Sequence, residues 1–284
     1  MAVVLDGVAY GLQLSLLAVG LTLIYGLGGV LNLAHGQFAV VTAITAALLM
    51  DSGVPTLWAV ILGVLAGAVL ALILDASVMR PVYRLQGESR VLLSLLITLG
   101  VAFLIDGLLI YNYPFTALNL SVSGPAINLL GVPMRRGSLA ASLLALVALA
   151  LLIVFLRYTR RGKAIRSIIE DEEGAQLCGI NPSRTRTAVF ALSGGLAGVA
   201  AVGEGMTSSL SATDGLNLTI LALIVTVVGG LGSVAGALLA GLLLGVVYSL
   251  ATFYIGAYVT FIILLVTAMA TILVRPSGLM GRGA

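Results

Sequence analysis

The 284-residue chain is 60% hydrophobic and 9% charged, with a net charge of +3, whereas soluble proteins carry about 25% charged residues. That composition excludes a soluble globular domain and places the chain in the membrane class. The basic residues fall in loops between apolar runs, so the positive balance reports membrane topology and not nucleic-acid binding.

A helix crosses about 30 Å of hydrocarbon with roughly 20 apolar residues. Candidate runs occur at 7–26, 36–50, 56–79, 91–112, 138–157, 188–206, 217–231, 236–253 and 257–275. The runs at 36–50 and 217–231 hold only 15 residues each, so the expectation is eight to ten helices. The expected fold class is all-α: a polytopic transmembrane helical bundle with two glycine-broken helices, forming a single transmembrane domain over 1–284. The apolar start, with Asp6, lacks the basic segment of a cleavable signal.

The first unusual stretch runs from Tyr25 to Gln37, where four glycines, Asn32, the sole histidine His35 and Gln37 interrupt an apolar sequence. Glycine costs a helix interior about 1 kcal/mol relative to Ala, so a break is expected there. Broken backbone at membrane depth survives only where protein or a water-filled cavity covers it. His35 has no second His, Cys or paired carboxylate nearby, which excludes a metal site. A hydrogen-bonded role at the break, a place on a pathway or its gate, and proton chemistry all stay open for it. Asn32 and Gln37 carry the donors and acceptors a broken backbone needs.

Arg80, Arg84 and Arg90 mark the next loop as cytoplasmic, with Asp75 near enough to pair with Arg80. Asp106 follows an apolar run interrupted by Ser94 and Thr98. Charge inside a span costs about 3 kcal/mol, so Asp106 is expected to face the bundle interior or an aqueous edge. Residues 113–137 form an external loop with three prolines and alternating apolar residues, an ordered cap with short strands.

The longest polar stretch, about 157–187, opens on five cations (Arg157, Arg160, Arg161, Lys163, Arg166) and continues with Glu170, Asp171, Glu172 and Glu173. Ala164, Ile165, Ile168 and Ile169 form a stripe at helical spacing. A second helical piece follows through Ala175, Leu177 and Cys178. The lone Cys178 has no disulfide or metal partner and is expected as a small, at least half-buried apolar residue. Gly179 suits a helix C-terminus, Asn181-Pro182 a stop, and Ser183 a cap for the next helix. Four consecutive acids argue against simple lipid anchoring, because anionic headgroups repel them.

Further on, Glu204 lies between Gly203 and Gly205 near an external helix end, as a helix-end or an external-gate residue. Gly229-Gly230-Leu231-Gly232-Ser233 then repeats the glycine theme about 200 residues after the first break. Interrupted segments in corresponding positions of two halves point to a transporter pathway. Glycines at small-xxx-small spacing (63/67, 194/198, 232/236, 241/245) suggest close helix packing. No G-x-x-x-x-G-K-[ST] loop for nucleotide phosphates occurs.

Four stretches together carry a resemblance: Ile24-Tyr25-Gly26 with Asn32-Leu33-Ala34-His35-Gly36; the loop with Glu170-Asp171 and Gly179-Ile180-Asn181; Gly229-Gly230-Leu231-Gly232-Ser233 with Gly236-Ala237; and Pro276-Ser277-Gly278-Leu279-Met280-Gly281. In order and spacing they resemble permeases of the branched-chain amino-acid (LIV-type) family of ATP-binding-cassette importers. Two departures are Gln37, where many members carry Glu, and the long acidic run. The resemblance implies a pore subunit in a bacterial cytoplasmic (inner) membrane that is no enzyme itself and binds no cofactor or metal. Its implied partners are a second, related permease, two cytoplasmic ATPases and an external solute-binding protein, within membrane lipid. Gly162, Glu170, Asp171, Gly179 and Asn181 would then couple to the ATPases. Asn32, His35, Gly36, Gln37, Gly229, Gly230 and Gly232 would form the pathway or its gate. The rival expectation is a stand-alone ion-coupled secondary transporter or channel, for which Asp106 is the candidate midplane group.

Overall fold

The computed structural model describes residues 2–120, 127–129, 132–275 and 277–281. The chain is almost entirely helical: α1 (Ala2–Gly28), α2 (His35–Asp51), α3 (Thr56–Leu74), α4 (Arg80–Val82), α5 (Gly87–Asn112), α6 (Arg136–Tyr158), α7 (Arg160–Glu170), α8 (Glu172–Leu177), α9 (Pro182–Thr207), α10 (Gly215–Gly229), α11 (Val234–Tyr254) and α12 (Ala257–Val274). Among the described residues, eight helical stretches are long and apolar enough to cross a membrane, and α2 adds a shorter apolar helix. These are the nine runs of the sequence. Alternating directions put the 157–187 loop and the turn at 277–281 on one side, with the described residues of 113–137 on the other.

Between α3 and α4 the helix widens into a π turn at Asp75–Met79, just before Pro81. Proline removes a backbone donor and crowds the preceding turn, and a widened turn is one way to absorb it. On the opposite side, β1 (Ala117–Leu118), β2 (Ile127–Leu129), β3 (Val132–Met134) and β4 (Leu210–Ser211) form two small antiparallel ladders, β1 with β4 and β2 with β3. Leu118 and Leu210 face each other in register and are both buried, so this part of the loop after α5 is anchored to the bundle. The expectation of short strands holds here; residues 121–126, 130 and 131 of that loop, Pro276 of the C-terminal motif and Arg282 lie outside the described residues.

Helix α1 sits at the centre, with 83% of its spanning window buried; α12 lies at the rim with 17%. Rim helices expose large apolar residues, such as Leu96 and Phe103 on α5 and Leu143 and Leu151 on α6. The centre is built from small and hydroxyl residues instead. Lipid is as apolar as leucine, so close packing and not apolarity holds the middle together. Gly241 and Gly245 of α11 meet Ser15 and Gly11 of α1 at backbone contact, while Gly63, Gly67 and Gly198 close around Thr42 of α2. The 232/236 pair differs from expectation: Gly232 lies in the turn before α11 at φ +84°, and only Gly236 packs within a helix.

Candidate coupling and gate site

The two glycine breaks differ in construction. At the first, α1 ends at Gly28 and Gly29 turns at φ +59°. The chain then runs as irregular backbone alongside α5 until α2 begins at His35. Its amides find partners in two hydroxyls one helical turn apart: Leu31 N donates to Ser94 Oγ at 3.1 Å and Leu33 N to Thr98 Oγ1 at 2.9 Å. Each hydroxyl donates onward to a carbonyl of its own helix, Ser94 to Val91 at 2.7 Å and Thr98 to Ser94 at 2.6 Å. Helix α5 is thus the scaffold that lets irregular backbone persist at depth. Asn32 closes the turn, its Oδ1 accepting from Ala34 N at 3.0 Å.

His35 begins α2 and is fully buried. Its Nε2 donates to the Leu17 carbonyl at 3.0 Å, since a carbonyl only accepts, and this leaves Nδ1 to accept from the Ser193 hydroxyl at 3.4 Å. The ring therefore ties α2 to α1 and α9, with Gly20 leaving it room. Gly36 N donates to Thr219 Oγ1 at 2.8 Å, and any Cβ on Gly36 would overlap the Gly215 carbonyl. The Gln37 amide lies against Gly215 and beside the Asp106 carboxyl, outside hydrogen-bond geometry. Asn32, His35, Gly36 and Gln37 are all enclosed by helices of this chain.

The second break is a tight turn. Gly230 and Gly232 have φ +105° and +84°, backbone conformations that side-chain-bearing residues rarely adopt. Ser233 caps α11, accepting from Gly236 N at 3.1 Å, while Gly229 and Gly236 touch backbone to backbone. The free carbonyls at the end of α10 are taken by the C-terminal motif: Leu279 N donates to Val228 O at 2.9 Å and Met280 N to Gly229 O at 3.1 Å. The last motif in the sequence is therefore a helix cap supplied from about 50 residues away.

The two breaks meet. A Cβ on Gly26 would lie 3.4 Å from the Gly232 Cα and 3.3 Å from the Ile169 side chain of α7. A cavity of about 590 Å³ opens here, lined by Tyr25, Gly29, Arg166, Glu170, Leu231 and Met280 among others. Of the residues expected to form a gate and those expected to couple, Gly232 and Glu170 line this cavity, whereas Asn32, His35, Gly36 and Gln37 lie enclosed between helices and Gly179 and Asn181 border a separate groove.

The loop is ordered against this site. Thr159 caps α7 by accepting from Gly162 N at 2.9 Å, and Gly162 packs on the backbone of Phe155 and Leu156, which folds α7 back along α6. Ile165 and Ile168 of the expected stripe are buried. Asp171, extended at φ −155°, separates α7 from α8. Gly179, at φ +82°, follows the C-terminus of α8, with Ile180 N returning to Ala175 O at 3.0 Å. Two expectations are corrected. Asn181, not Ser183, caps α9, its Oδ1 accepting from Arg184 N at 3.1 Å, because Pro182 takes the first helical position where no N–H is needed. Cys178 is exposed, since it ends a short helix whose buried face is Ala175.

Residues 3–274 match the family described as branched-chain amino acid transport system / permease component. The chain belongs to that family. It is 29% identical to the high-affinity branched-chain amino acid transport permease LivH of Escherichia coli K12, over 98% of this chain and 94% of that protein. The corresponding permease BraD of Pseudomonas aeruginosa is 27% identical over 98% and 94%. A probable LivH of Methanocaldococcus jannaschii is 29% identical over 98% and 92%. These relatives are transport permeases, not enzymes, and this member of the family is likewise a multi-pass protein of the cytoplasmic membrane.

In this permease, the groups that hold the breaks in place were not distinguished by the sequence. Ser94 and Thr98 stood out only as interruptions, although their spacing of four on an apolar helix is the signal of a shared face. Arg186 is buried in α9, its Nη2 on both Glu172 oxygens at 2.7 and 2.6 Å, with Cζ 4.6 Å from the centre of the Tyr83 ring. Burial and the nearby Asp75 carboxyl push the Tyr83 phenol above its ordinary pKa, so it stays neutral beside that carboxyl. Asp75 accepts from the Thr187 hydroxyl at 2.5 Å, where pairing with Arg80 was the simpler expectation. At the end of the bundle opposite the 157–187 loop, Glu204 accepts from Ser208 Oγ at 2.6 Å and borders a cavity of about 360 Å³ with Asp6, Tyr10, Gln13 and Arg135.

Proposed function

We propose that residues 1–284 form the single transmembrane permease domain of an ATP-driven importer that moves branched-chain or related amino acids by alternating access. The relatives' names supply the substrate class. The observation that carries the mechanism is the convergence of both glycine breaks on α7, with Ile169 against Gly26 and Gly26 against Gly232.

In this reading two cytoplasmic ATPases grip the 157–187 loop, a second related permease completes the pore, and an external binding protein delivers the solute. Gly162, Glu170, Asp171, Gly179 and Asn181 shape the gripped surface; beside Gly179 and Asn181 an open groove of about 490 Å³ runs along α8. Movement of α7 and α8 displaces the two breaks, and Gly229, Gly230 and Gly232 act as the gate. Asn32, His35, Gly36 and Gln37 act from behind it, as the frame against which the first break moves.

Gly179→Val tests the loop. At φ +82° a β-branched residue is strained, so the turn between α8 and α9 must reshape. The assembled complex is expected to lose most solute-stimulated ATP hydrolysis while membrane insertion stays normal. Unchanged stimulation removes the loop from the mechanism, and ion-driven uptake by this chain alone in liposomes replaces the whole reading.

A further inference from the structure

The last two carbonyls of α1 are each held by a guanidinium from a different element. Arg90, near the start of α5, donates from Nη1 to Gly28 O at 3.1 Å, and its Nε is fixed on Leu85 O at 2.7 Å. Arg186, in α9, donates from Nε to Leu27 O at 3.1 Å. The two grips differ in what stands behind them. Arg90 rests on its own connecting segment. Arg186 is charge-paired with Glu172 on α8, and the side chains are 10% and 36% exposed respectively. Glu172 and Arg186 both border the groove along α8, beside Gly179 and Asn181. A body seated in that groove therefore presses on the carboxylate that holds the guanidinium. Immediately beyond Gly28, Gly29 at φ +59° provides a swivel. The residue after Arg186, Thr187, holds Asp75 in the π turn at the end of α3.

We propose that Arg186 is a positioning residue that transmits displacement of α8 to the broken end of α1, with the Glu172–Arg186 pair as the link between the loop and the gate. The proposal rests on the reading of the loop as ATPase-driven. A buried guanidinium follows its counter-charge, because separating the two leaves it a neutral carbonyl, an aromatic face and only the more distant Asp75 carboxyl. When α8 moves, Glu172 draws Arg186, and Arg186 draws Leu27 O. Arg90 meanwhile keeps the Gly28 carbonyl in place, so the strain falls on Gly28, between the two held carbonyls at the start of the first break. The second break follows through the Gly26–Gly232 contact.

The test uses the complete transporter, with both permeases, the ATPases and the binding protein, in proteoliposomes. Leucine uptake and ATP hydrolysis are measured in the same vesicles for Glu172→Gln, which keeps the shape and removes the charge, and for Arg186→Lys and Arg186→Met. Expected for Glu172→Gln and Arg186→Met is a fall of at least tenfold in leucine moved per ATP, with at least half of the hydrolysis retained; Arg186→Lys falls between these and the unmodified protein. A second readout is thiol labelling of Leu231→Cys, in a Cys178→Ser background, with and without ATP. Labelling responds to ATP in the unmodified pair and becomes independent of it in Glu172→Gln. Uptake per ATP within twofold of normal overturns the proposal. So does a parallel fall of uptake, hydrolysis and thermal stability, which marks a merely structural pair. Failure of the parent reading shows separately, as absence of ATP-driven uptake in the unmodified complex.

Discussion

At the residue scale, glycine does two unlike things in this chain, and only its surroundings tell them apart. Gly36 stands where any Cβ meets the Gly215 carbonyl, whereas Gly195, in α9, has no foreign atom within 4 Å of a built Cβ. Overpacking a tight site costs about 1–3 kcal/mol, while replacing an uncrowded helical glycine with alanine gains up to about 1 kcal/mol. Gly36→Ala is therefore expected to lower the thermal unfolding midpoint of the detergent-solubilised protein, and Gly195→Ala to leave it level or raise it. Equal effects in a melting assay would show that the α2–α10 contact yields more readily than its geometry implies. The same contrast explains His35. Isolated in the sequence it is chemically ambiguous, but between Leu17 O and Ser193 Oγ it is a tie between three helices.

At the element scale, a helix can end inside a membrane only if another element takes over its hydrogen bonds. Helix α5 does so for the first break through Ser94 and Thr98. The C-terminal turn does so for the second through Leu279 and Met280. A buried amide left without a partner costs about 1–3 kcal/mol. Ser94→Ala and Thr98→Val each orphan one such amide with little change of volume. Each is expected to destabilise by about that amount in reversible unfolding from detergent, and to increase protease cutting near Leu31–Leu33. A neutral Thr98→Val would mean that the segment finds water instead, placing the break on an aqueous path.

At the scale of the whole molecule, the C-terminal turn is part of the construction of the second break. The backbone of Gly230 packs against Ser277, Gly278 and Gly281, so the last helix and its turn close the end of α10. Ending the chain at Arg275 removes the donors to Val228 and Gly229 while leaving every membrane-length helix intact. Insertion is expected to be normal, with leucine uptake by the assembled complex reduced at least tenfold. Full uptake by the truncated chain would show that the cap is dispensable for movement at the break.

Much of the fold was legible because lipid imposes a severe filter on sequence. A span must be long, apolar and internally hydrogen-bonded, so nine runs could be placed, and the basic loops oriented them. The glycine breaks were legible for the same reason, since few other residues are so costly in a helix. Ser94, Thr98, Arg90 and Arg186 were not legible as partners. A hydroxyl or a guanidinium has many chemically equivalent acceptors within reach of a folded chain, and nothing local chooses among them. The sequence by itself determined that this is a multi-pass permease with two interrupted helices and one polar loop. Only the tertiary structure decided that both interruptions and the loop meet at one end of the bundle, because that depends on which helices pack face to face, and close packing between small residues is set by three-dimensional fit and not by hydropathy.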